Sequence, residues 1–339
     1  MEKNKPVIGV LLGDPTGIGP ELVAKLAADE EVYDQANMVL IGDYRIFQAG
    51  QGIAKTNTEV PVVEKYEDIC FPLRRPVFLD FPTLDPAEVE MGKINPKAGK
   101  SVLDTLLFSI NLAKEGKLDG FIFAPFNKQA MHLCGCPYET ELDLFKAEFN
   151  RPEVRGELNV LDEIWNSRVT SHVGLSQVGS LLTVQSVYET ICFVNQSLKA
   201  YGKEEPRLAV SAFNPHGGEG GIFGSEEQDA IIPAIEKAKA EGINVSGPFP
   251  SDTIFLKVLA GEYDAVVSMF HDQGQIALKL LGFDKGVTVH GGLPVPIATA
   301  AHGTAFDIAG HGIANVSGLK RAFVIASRMA ANQKKTAHL

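Results

Sequence analysis

The chain contains 339 residues, of which 45% are hydrophobic, and 42 acidic against 31 basic side chains give it a net charge of −11. This length is enough for two domains with separate cores, and the excess of acid disfavours binding to nucleic acid or to an anionic membrane. The sequence has no apolar run of the about 18 residues that a membrane span needs, and MEKNKPVIGV enters a strand pattern without a signal-peptide region. These features predict a cytoplasmic, metabolite-handling protein that binds neither nucleic acid nor a membrane.

Short apolar runs alternate with amphipathic segments along the whole sequence, as where PVIGVLL is followed by GPELVAKLAAD. Such alternation is typical of α/β proteins. A helix is predicted over 98–114, where apolar side chains recur at helical spacing, at Val102, Leu103, Leu106, Leu107 and Ile110. No long Pro/Gly/Ser-rich linker divides the sequence, so we expect domains that share a broad interface rather than a tether.

The stretch Val10–Leu22 reads VLLGDPTGIGPEL, a strand-like run that breaks into glycines and prolines before a helix-like run. Strand, glycine turn and helix together form the context of a phosphate-binding loop. The glycines do not have GxGxxG spacing, however, and Asp14 and Glu21 place carboxylates where a phosphate would lie. We therefore favour a simple helix start, with Pro20 and Glu21 in the first turn.

Lys128 lies in DGFIFAPFNKQAM, after a predicted strand and a proline turn. Catalytic side chains commonly occupy such positions at the carboxyl edge of an α/β sheet. A lysine there can polarise a carbonyl group or deliver a proton. A solvated surface lysine is the alternative, and the local sequence leaves both interpretations open.

Three histidines follow directly after strand-like apolar runs: His172 in RVTSHVGL, His216 in FNPHGGEGG and His271 in MFHDQGQ. Ligands of α/β sheets bind at the carboxyl ends of the strands, and three imidazoles with an open position are typical of a catalytic metal site. The three lie far apart in the sequence, so no local geometry brings them together. A hydrogen-bonded histidine at a strand end is the alternative for each.

The segments around two of these histidines carry further polar side chains. Four glycines surround His216 and Glu219, so the backbone of this loop can approach a ligand closely. In HDQGQIALK, Asp272 can orient a ligand histidine or pair with a cation, and Lys279 can reach an anionic substrate. A flexible surface turn and a solvated helix lysine are the corresponding alternatives.

The last motif is AAHGTAFDIAGHGIAN, from Ala300 to Asn315. His302, Gly303 and Thr304 form a predicted turn, and Asp307 follows at helical distance. A carboxylate beside a glycine turn can accept hydrogen bonds from both hydroxyls of an adenosine ribose and repel a 2′-phosphate. The motif alone is suggestive of NAD binding.

Taken together, the motifs resemble the 4-hydroxythreonine-4-phosphate dehydrogenase family of vitamin B6 biosynthesis. They are LLGDPTGIGPEL, APFNK, TSH, NPHGGEGG, PSDT, FHDQG and HGTAFDIAG, in the family's order, and the resemblance runs from about residue 7 to 330. The segment HGTAFDIAGHGIAN is also similar to the adenine-side loop of isopropylmalate dehydrogenases.

The resemblance implies an isocitrate/isopropylmalate dehydrogenase-like fold of two α/β/α domains that flank a cleft. Residues 1–125 and 280–339 would form the cofactor-side domain, and residues 126–279 the domain for metal binding, substrate binding and dimerisation. It further implies a homodimer with a shared active site, in which His172, His216 and the partner subunit's His271 hold a divalent metal. Zn²⁺ is the first choice, with Mg²⁺, Mn²⁺ or Co²⁺ as alternatives.

The resemblance also implies the chemistry. NAD would accept a hydride from the secondary alcohol of a hydroxy acid whose hydroxyl the metal activates, and the resulting β-keto acid would lose carbon dioxide. Lys128 and Asp272 are the implied catalytic residues, with Lys128 assisting proton transfer. The implied cofactor-binding residues are Asp252 and Thr253 in PSDTIF, together with His302, Gly303, Thr304 and Asp307.

Four positions depart from the family pattern, and all concern the substrate. In PYETELDLF, Glu141 replaces a substrate-binding histidine and Leu142 a threonine, while Ile297 replaces a phosphate-binding arginine and Thr288 an asparagine. Because isoleucine cannot make the bidentate contacts of arginine, we expect a hydroxy acid without phosphate, bound by Glu141, Lys279 and Thr288. A register shift that leaves Glu141 solvated and puts Asp143 in its place is the alternative.

Two other functions stay open at this point. A non-phosphorylated, carboxylated cis-dihydrodiol, as oxidised by terephthalate dihydrodiol dehydrogenases, is an alternative substrate. A catalytically silent metal-binding relative is the competing class of protein. Retention of the three histidines, Lys128 and Asp307 argues against loss of turnover.

Overall fold

The computed structural model describes residues 5–71, 74–154 and 156–337. The described chain divides into two compact units. The terminal unit contains the residues up to Glu153 together with those from Leu293 onward, and the central unit is Val154–Gly292. Both units combine parallel strands with helices, which confirms the predicted α/β class. The division into cofactor-side and metal-side domains at residues 125 and 279 stays a prediction.

Strands and helices alternate along the described residues. The strands are β1 Val7–Leu11, β2 Asn37–Gly42, β3 Val62–Val63, β4 Val77–Asp80, β5 Gly120–Phe123, β6 Glu157–Leu161, β7 Ile164–Arg168, β8 Leu208–Ser211, β9 Val245–Phe249, β10 Ala265–Ser268, β11 Val287–His290 and β12 Ile297–Ala300. The α-helices are α1 Gly19–Ala27, α2 Tyr44–Ala54, α3 Pro96–Lys114, α4 Lys128–Leu133, α5 Glu141–Glu148, α6 Leu175–Leu181, α7 Val184–Tyr201, α8 Ile232–Ala240, α9 Ile254–Leu259, α10 His271–Gly282 and α11 Ser317–Ala337. None of the helices in this described part has both the length and the apolar character to cross a lipid bilayer.

The described strands of the terminal unit pair in the order β3-β4-β2-β1-β5-β12, and every pairing is parallel. Ile8, Val39 and Ile122 on these strands are fully buried, as expected for a parallel sheet whose faces are covered. Helix α11 packs on β12, β5 and β1. Helix α3 confirms the predicted helix over 98–114, and it begins slightly earlier, at Pro96, because Asn95 caps its first turn.

The described strands of the central unit pair in the order β11-β6-β7-β10-β8-β9. Strands β11, β6 and β7 are antiparallel neighbours, whereas β7, β10, β8 and β9 run parallel. The buried side chains of Leu161, Ile164, Val266 and Leu278 belong to one cluster of the core in this unit. Parallel strands end at the same edge of a sheet, so the loops after β7, β10 and β8 emerge side by side.

Candidate active site

The three histidines follow the ends of three strands that are direct neighbours in the central unit. Strand β10 pairs with β7 on one side and with β8 on the other, in both cases parallel. His172 follows β7, His271 follows β10, and His216 follows β8. The predicted placement of each histidine after a strand is confirmed, and sheet order adds what the sequence could not show, namely that the three strands are adjacent.

Hydrogen bonds tie the three histidine-bearing loops to one another. Thr170, shortly before His172, donates from its backbone N–H and its hydroxyl to Met269 O, at 3.1 and 2.8 Å. Gln273 accepts from Met269 N at 2.7 Å and donates to Ala212 O at 2.7 Å. Because Met269 and Ala212 precede two of the histidines, one glutamine side chain links both of their loops.

The histidine rings themselves are only partly brought together within one chain. The rings of His172 and His271 have centroids 6.1 Å apart, whereas the ring of His216 lies against Phe223, with centroids 6.3 Å apart. Nδ1 of His271 lies 2.7 Å from Oδ1 of Asp272, within hydrogen-bond distance. Among the described residues of a single chain, no three His, Cys, Asp or Glu side chains are grouped closely enough to hold a metal.

The loop that carries His216 has an unusual backbone. All five residues from His216 to Gly220 have a positive φ, between 42° and 77°. The three glycines among them adopt this conformation freely, but His216 and Glu219 are non-glycine residues, for which it costs about 1–2 kcal/mol each. Strain of this kind is concentrated at functional sites, and the four glycines of NPHGGEGG explain how the loop can form at all.

Glu227 anchors the start of this loop by hydrogen bonds. Glu227 is 2% exposed. Its Oε1 atom accepts hydrogen bonds from Phe213 N at 2.8 Å and Asn214 N at 2.7 Å. Oε2 accepts from Asn214 Nδ2 at 2.9 Å. Sequence reasoning missed Glu227, whose one local signal is an acid three residues before the buried Ala230 and Ile231.

Lys128 and Glu141 meet in the terminal unit. Lys128 is the first residue of α4 and Glu141 the first of α5, and their charged atoms lie 2.9 Å apart. Both line a pocket of about 530 Å³, whose apolar wall includes Phe126, Met131 and Leu144. The structure thus brings together a predicted catalytic residue and a predicted substrate-binding residue, a pairing that no local sequence signal indicated.

The register of the PYETELDLF segment follows from the cap of helix α5. Thr140 is the N-cap, and its hydroxyl accepts from Asp143 N at 3.1 Å and donates to Asp143 Oδ2 at 2.6 Å. Asp143 therefore faces its own helix cap and is exposed, while the Glu141 side chain is 19% exposed and lines the pocket. Glu141 is therefore not solvated, while the correspondence of Glu141 or Asp143 to the family's position stays a prediction.

The opening motif packs beneath the segment that leads to Lys128. Gly13 has φ +70°, and a Cβ atom there would lie 2.5 Å from Ala124 O. Asp14 N donates to Pro125 O at 3.0 Å. The Asp14 side chain is buried and accepts from Thr16 N at 2.9 Å. Burial raises the pKa of the Asp14 carboxyl, although the hydrogen bonds from Thr16 act in the opposite direction.

The same motif also supports the HGT turn near the end of the chain. A Cβ atom on Gly17 would lie 2.9 Å from Thr304 Cβ, and Ile18 N donates to Thr304 O at 3.1 Å. The buried Glu21 accepts from Ala314 N at 2.7 Å. Helix α1 begins at Gly19 with Pro20 and Glu21 in its first turn, as predicted. The motif is therefore a brace between the Lys128 segment and the HGT turn.

The predicted cofactor-binding residues fall into both compact units. His302, Gly303, Thr304 and Asp307 belong to the terminal unit, where Thr304 is buried and Asp307 is exposed. Asp307 lies in a turn rather than on a helix, contrary to its predicted helical setting, because Ala305 has φ 44° and interrupts the backbone. Asp252 and Thr253 are exposed residues at the start of α9 in the central unit.

Two predicted substrate-binding residues lie in the central unit. Lys279 is exposed on α10, the helix that begins at His271. The hydroxyl of Thr288 on β11 accepts from Asn159 Nδ2 at 3.3 Å. Ile297, which was expected to replace the family's arginine, belongs to the terminal unit, where it pairs with Phe121 and is fully buried. Residue 297 therefore contributes packing to β12.

Comparison with known proteins points to one family. The family described as pyridoxal phosphate biosynthetic protein PdxA matches residues 34–326. A Pseudomonas aeruginosa protein with the name "Putative 4-hydroxythreonine-4-phosphate dehydrogenase 2" is 44% identical over 326 residues, 96% of this chain and 97% of that protein. A protein of Clostridium botulinum strain Langeland with the name "Putative D-threonate 4-phosphate dehydrogenase" is 35% identical over 337 residues, 99% of this chain and 100% of that protein.

A solved structure agrees with these relatives. The crystal structure of 4-hydroxythreonine-4-phosphate dehydrogenase from Klebsiella pneumoniae matches with a TM-score of 0.85 and 33% identity, over 97% of this chain and 99% of that one. The names of these relatives are those of oxidoreductases that act on a CH–OH group. The resemblance seen in the motifs is confirmed, and the chain belongs to the PdxA family.

Proposed function

We propose that this chain is an NAD-dependent dehydrogenase that uses a divalent metal to oxidise the secondary alcohol of a hydroxy acid, with loss of carbon dioxide after the oxidation. The observation that carries the proposal is the position of His172, His216 and His271 after three adjacent, parallel strand ends. Membership of a family whose relatives are named dehydrogenases supports the reaction class.

The histidine edge fits a divalent metal by the chemistry of its donors. Neutral imidazole suits Zn²⁺, and Mg²⁺, Mn²⁺ or Co²⁺ are alternatives where substrate oxygens complete the coordination. If Asp272 accepts the Nδ1 proton of His271 across their 2.7 Å contact, Nε2 is the ligand atom and the carboxylate fixes the ring. We infer that His172 and His216 of one chain hold the metal together with the partner subunit's His271.

The HGT turn of the terminal unit fits the adenosine half of NAD. A Cβ atom on Gly303 would meet nothing within 4 Å, so a ligand can approach the backbone closely there. The exposed Asp307 carboxylate suits two ribose hydroxyls and repels a 2′-phosphate. The proposed cofactor-binding residues are His302, Gly303, Thr304, Asp307, Asp252 and Thr253.

When bound, the metal supplies Lewis-acid activation of the substrate hydroxyl, and NAD supplies the hydride acceptor. The protein itself supplies a proton donor. The Lys128 side chain is 59% exposed, so a substrate can reach Nζ, and the ion pair with Glu141 holds the ammonium group at the pocket. We infer that Lys128 donates this proton to the substrate carbon that is left electron-rich when carbon dioxide departs.

The same ion pair supports a substrate without phosphate. Glu141 neutralises Lys128 inside the pocket and repels a phosphate dianion, and its carboxylate can accept hydrogen bonds from substrate hydroxyls. The buried Ile297 adds no cation. We infer that Lys279 and Thr288 of the central unit bind the carboxylate and a hydroxyl of the substrate.

A phosphorylated hydroxy acid is the second candidate substrate. It is favoured by the names of the relatives, which refer to 4-hydroxythreonine 4-phosphate and D-threonate 4-phosphate. A carboxylated cis-dihydrodiol is a third, suggested by the departures at Glu141 and Ile297. For the phosphorylated candidate, a cation at a position other than 297 has to bind the phosphate.

A second copy of the chain is the proposed partner. Exposed apolar side chains stand close in sequence to each predicted metal ligand. They are Val173 and Leu175 after His172, Ile222 and Phe223 after His216, and Ile276 and Leu280 after His271, with exposed fractions from 40% to 83%. Burial of these side chains in a homodimer would enclose the histidine edge and allow the partner subunit's His271 to complete the site.

Reduction of NAD with a substrate panel tests the function. The panel contains 4-phosphohydroxythreonine, D-threonate 4-phosphate, their unphosphorylated counterparts and a carboxylated dihydrodiol, each assayed with Zn²⁺, Mg²⁺, Mn²⁺ or Co²⁺ and with detection of carbon dioxide. We expect kcat/KM of about 10⁴ M⁻¹s⁻¹ or more for an unphosphorylated acid, with release of carbon dioxide. Efficient turnover of a phosphorylated acid would establish the second candidate, and absence of NAD reduction throughout would indicate a silent relative.

A further inference from the structure

Arg168 is a buried cation at the histidine edge that the proposed chemistry does not use. It is the last residue of β7, shortly before His172, and its side chain is 6% exposed. Burial of a guanidinium costs several kcal/mol unless its donors are paired with good geometry. The contacts of Arg168 therefore indicate the structural role of this buried side chain in the central unit.

Three different groups accept hydrogen bonds from this guanidinium. Nε donates to the hydroxyl of Ser171 at 3.0 Å, Nη1 to Asn159 Oδ1 at 2.6 Å, and Nη2 to Glu157 Oε2 at 3.3 Å. The Glu157 carboxylate balances the charge. Ser171 directly precedes His172, so the first of these bonds fixes the residue next to a predicted metal ligand.

Asn159 extends the network to two more elements of the site. Its Oδ1 atom also accepts from Gln275 Nε2 at 2.5 Å, and its Nδ2 atom donates to Thr288 Oγ1 at 3.3 Å. Gln275 lies in the first turns of α10, which begins at His271. The polar side chains of Arg168 and Asn159 thus connect the His172 loop, the start of α10 and strand β11.

We propose that Arg168 and Asn159 are positioning residues that hold the His172 loop and the first turns of α10 in the geometry needed for metal binding. The proposal rests on the metal site of the proposed function. Arg168 acts through Ser171 and Asn159, and its planar, rigid set of donors reaches three acceptors at once, which the single ammonium of a lysine cannot reproduce. Partners behind metal ligands commonly change metal affinity by about 10–100-fold.

Cobalt binding tests this proposal without any need for turnover. The full-length protein, freed of metal, is titrated with Co²⁺ against a chromophoric chelator, and the visible spectrum of the bound Co²⁺ is recorded. The variants are Arg168→Met and Arg168→Lys, the second of which keeps the charge beside Glu157. The control is Arg207→Met, because Arg207 in the same unit also forms an ion pair, with Asp264 at 3.1 Å, but lies away from the network.

We expect Arg168→Met to raise the Kd for Co²⁺ by about tenfold or more and to change the intensity of the visible bands. Arg168→Lys should show a smaller change in the same direction, and Arg207→Met none. If Arg168→Met does not fold, Arg168→Lys decides. Wild-type Kd and spectrum in both Arg168 variants would overturn the proposal alone, whereas a wild-type protein that binds no Co²⁺ would overturn the metal site and this proposal with it.

Discussion

The histidine edge of the central unit and the Lys128 pocket of the terminal unit are built in different ways. At the edge, strand pairing and the hydrogen bonds that the Gln273 and Glu227 side chains make with the backbone set the positions of the histidine loops. At the pocket, one ion pair joins Lys128 to Glu141, and the lysine side chain is 59% exposed. A hydrogen-bond network within the chain therefore holds the edge, whereas a single ion pair holds the exposed lysine where a substrate can reach it.

The largest effect should follow from removal of a ligand at the fixed edge. His216→Ala is expected to lose most of the bound metal and most of the activity, because the variant removes one of the three proposed imidazole ligands. Elemental analysis and NAD reduction measure both effects. His311→Ala, at an exposed turn of the terminal unit, is the control. Unchanged metal content in single alanine variants of His172, His216 and His271 would contradict the site.

The second largest effect is expected at the exposed Lys128 of the terminal-unit pocket. Lys128→Met should lower kcat by about 10²–10⁴-fold, the usual contribution of a positioned proton donor, without loss of bound metal. Glu141→Gln keeps the lysine but removes its partner, so its kcat should fall less. Lys100→Met, which removes an exposed ion pair with Asp104, is the control. A wild-type kcat in Lys128→Met would show that Lys128 is a surface lysine without a catalytic role.

The third prediction concerns the stability that Glu227 contributes at the histidine edge. Glu227→Gln places an amide NH₂ group where Oε2 accepts from Asn214 Nδ2, so two donors would face each other in a buried position. We expect a loss of about 2 kcal/mol in the free energy of unfolding, measured by urea denaturation. The exposed Glu236→Gln should change it by less than about 0.5 kcal/mol. Equal stability of the two variants would show that Glu227 does not anchor the loop.

The smallest effect is expected at the cofactor turn. Asp307→Asn removes the carboxylate that should repel a 2′-phosphate, so the ratio of kcat/KM for NAD to that for NADP should fall about tenfold, equivalent to about 1.4 kcal/mol. Steady-state kinetics with both cofactors measure this ratio. Asp68→Asn, at another exposed position of the terminal unit, should leave it unchanged. A wild-type protein that prefers NADP would contradict the role of Asp307.

The same contrast explains what could be predicted from sequence. Strands such as β1, helix α3 and the strand-end histidines were predictable, because alternating apolar runs and local turn residues determine them. The hydrogen bonds from Asn214 to Glu227 and from Arg168 to Asn159 were not predictable, because each joins residues from different elements. The burial of Ile297 was also missed, since a family position does not show whether its side chain faces a ligand or the core.

The central claim is that the histidine edge becomes a metal site shared between two copies of the chain. The direct test is co-expression of His216→Ala and His271→Ala chains with different tags, followed by isolation of the mixed dimer. If the partner subunit's His271 completes each site, the mixed dimer has one intact site of two and should show about half of the wild-type activity and metal content. Mixed dimers as inactive as either parent variant would contradict a shared site.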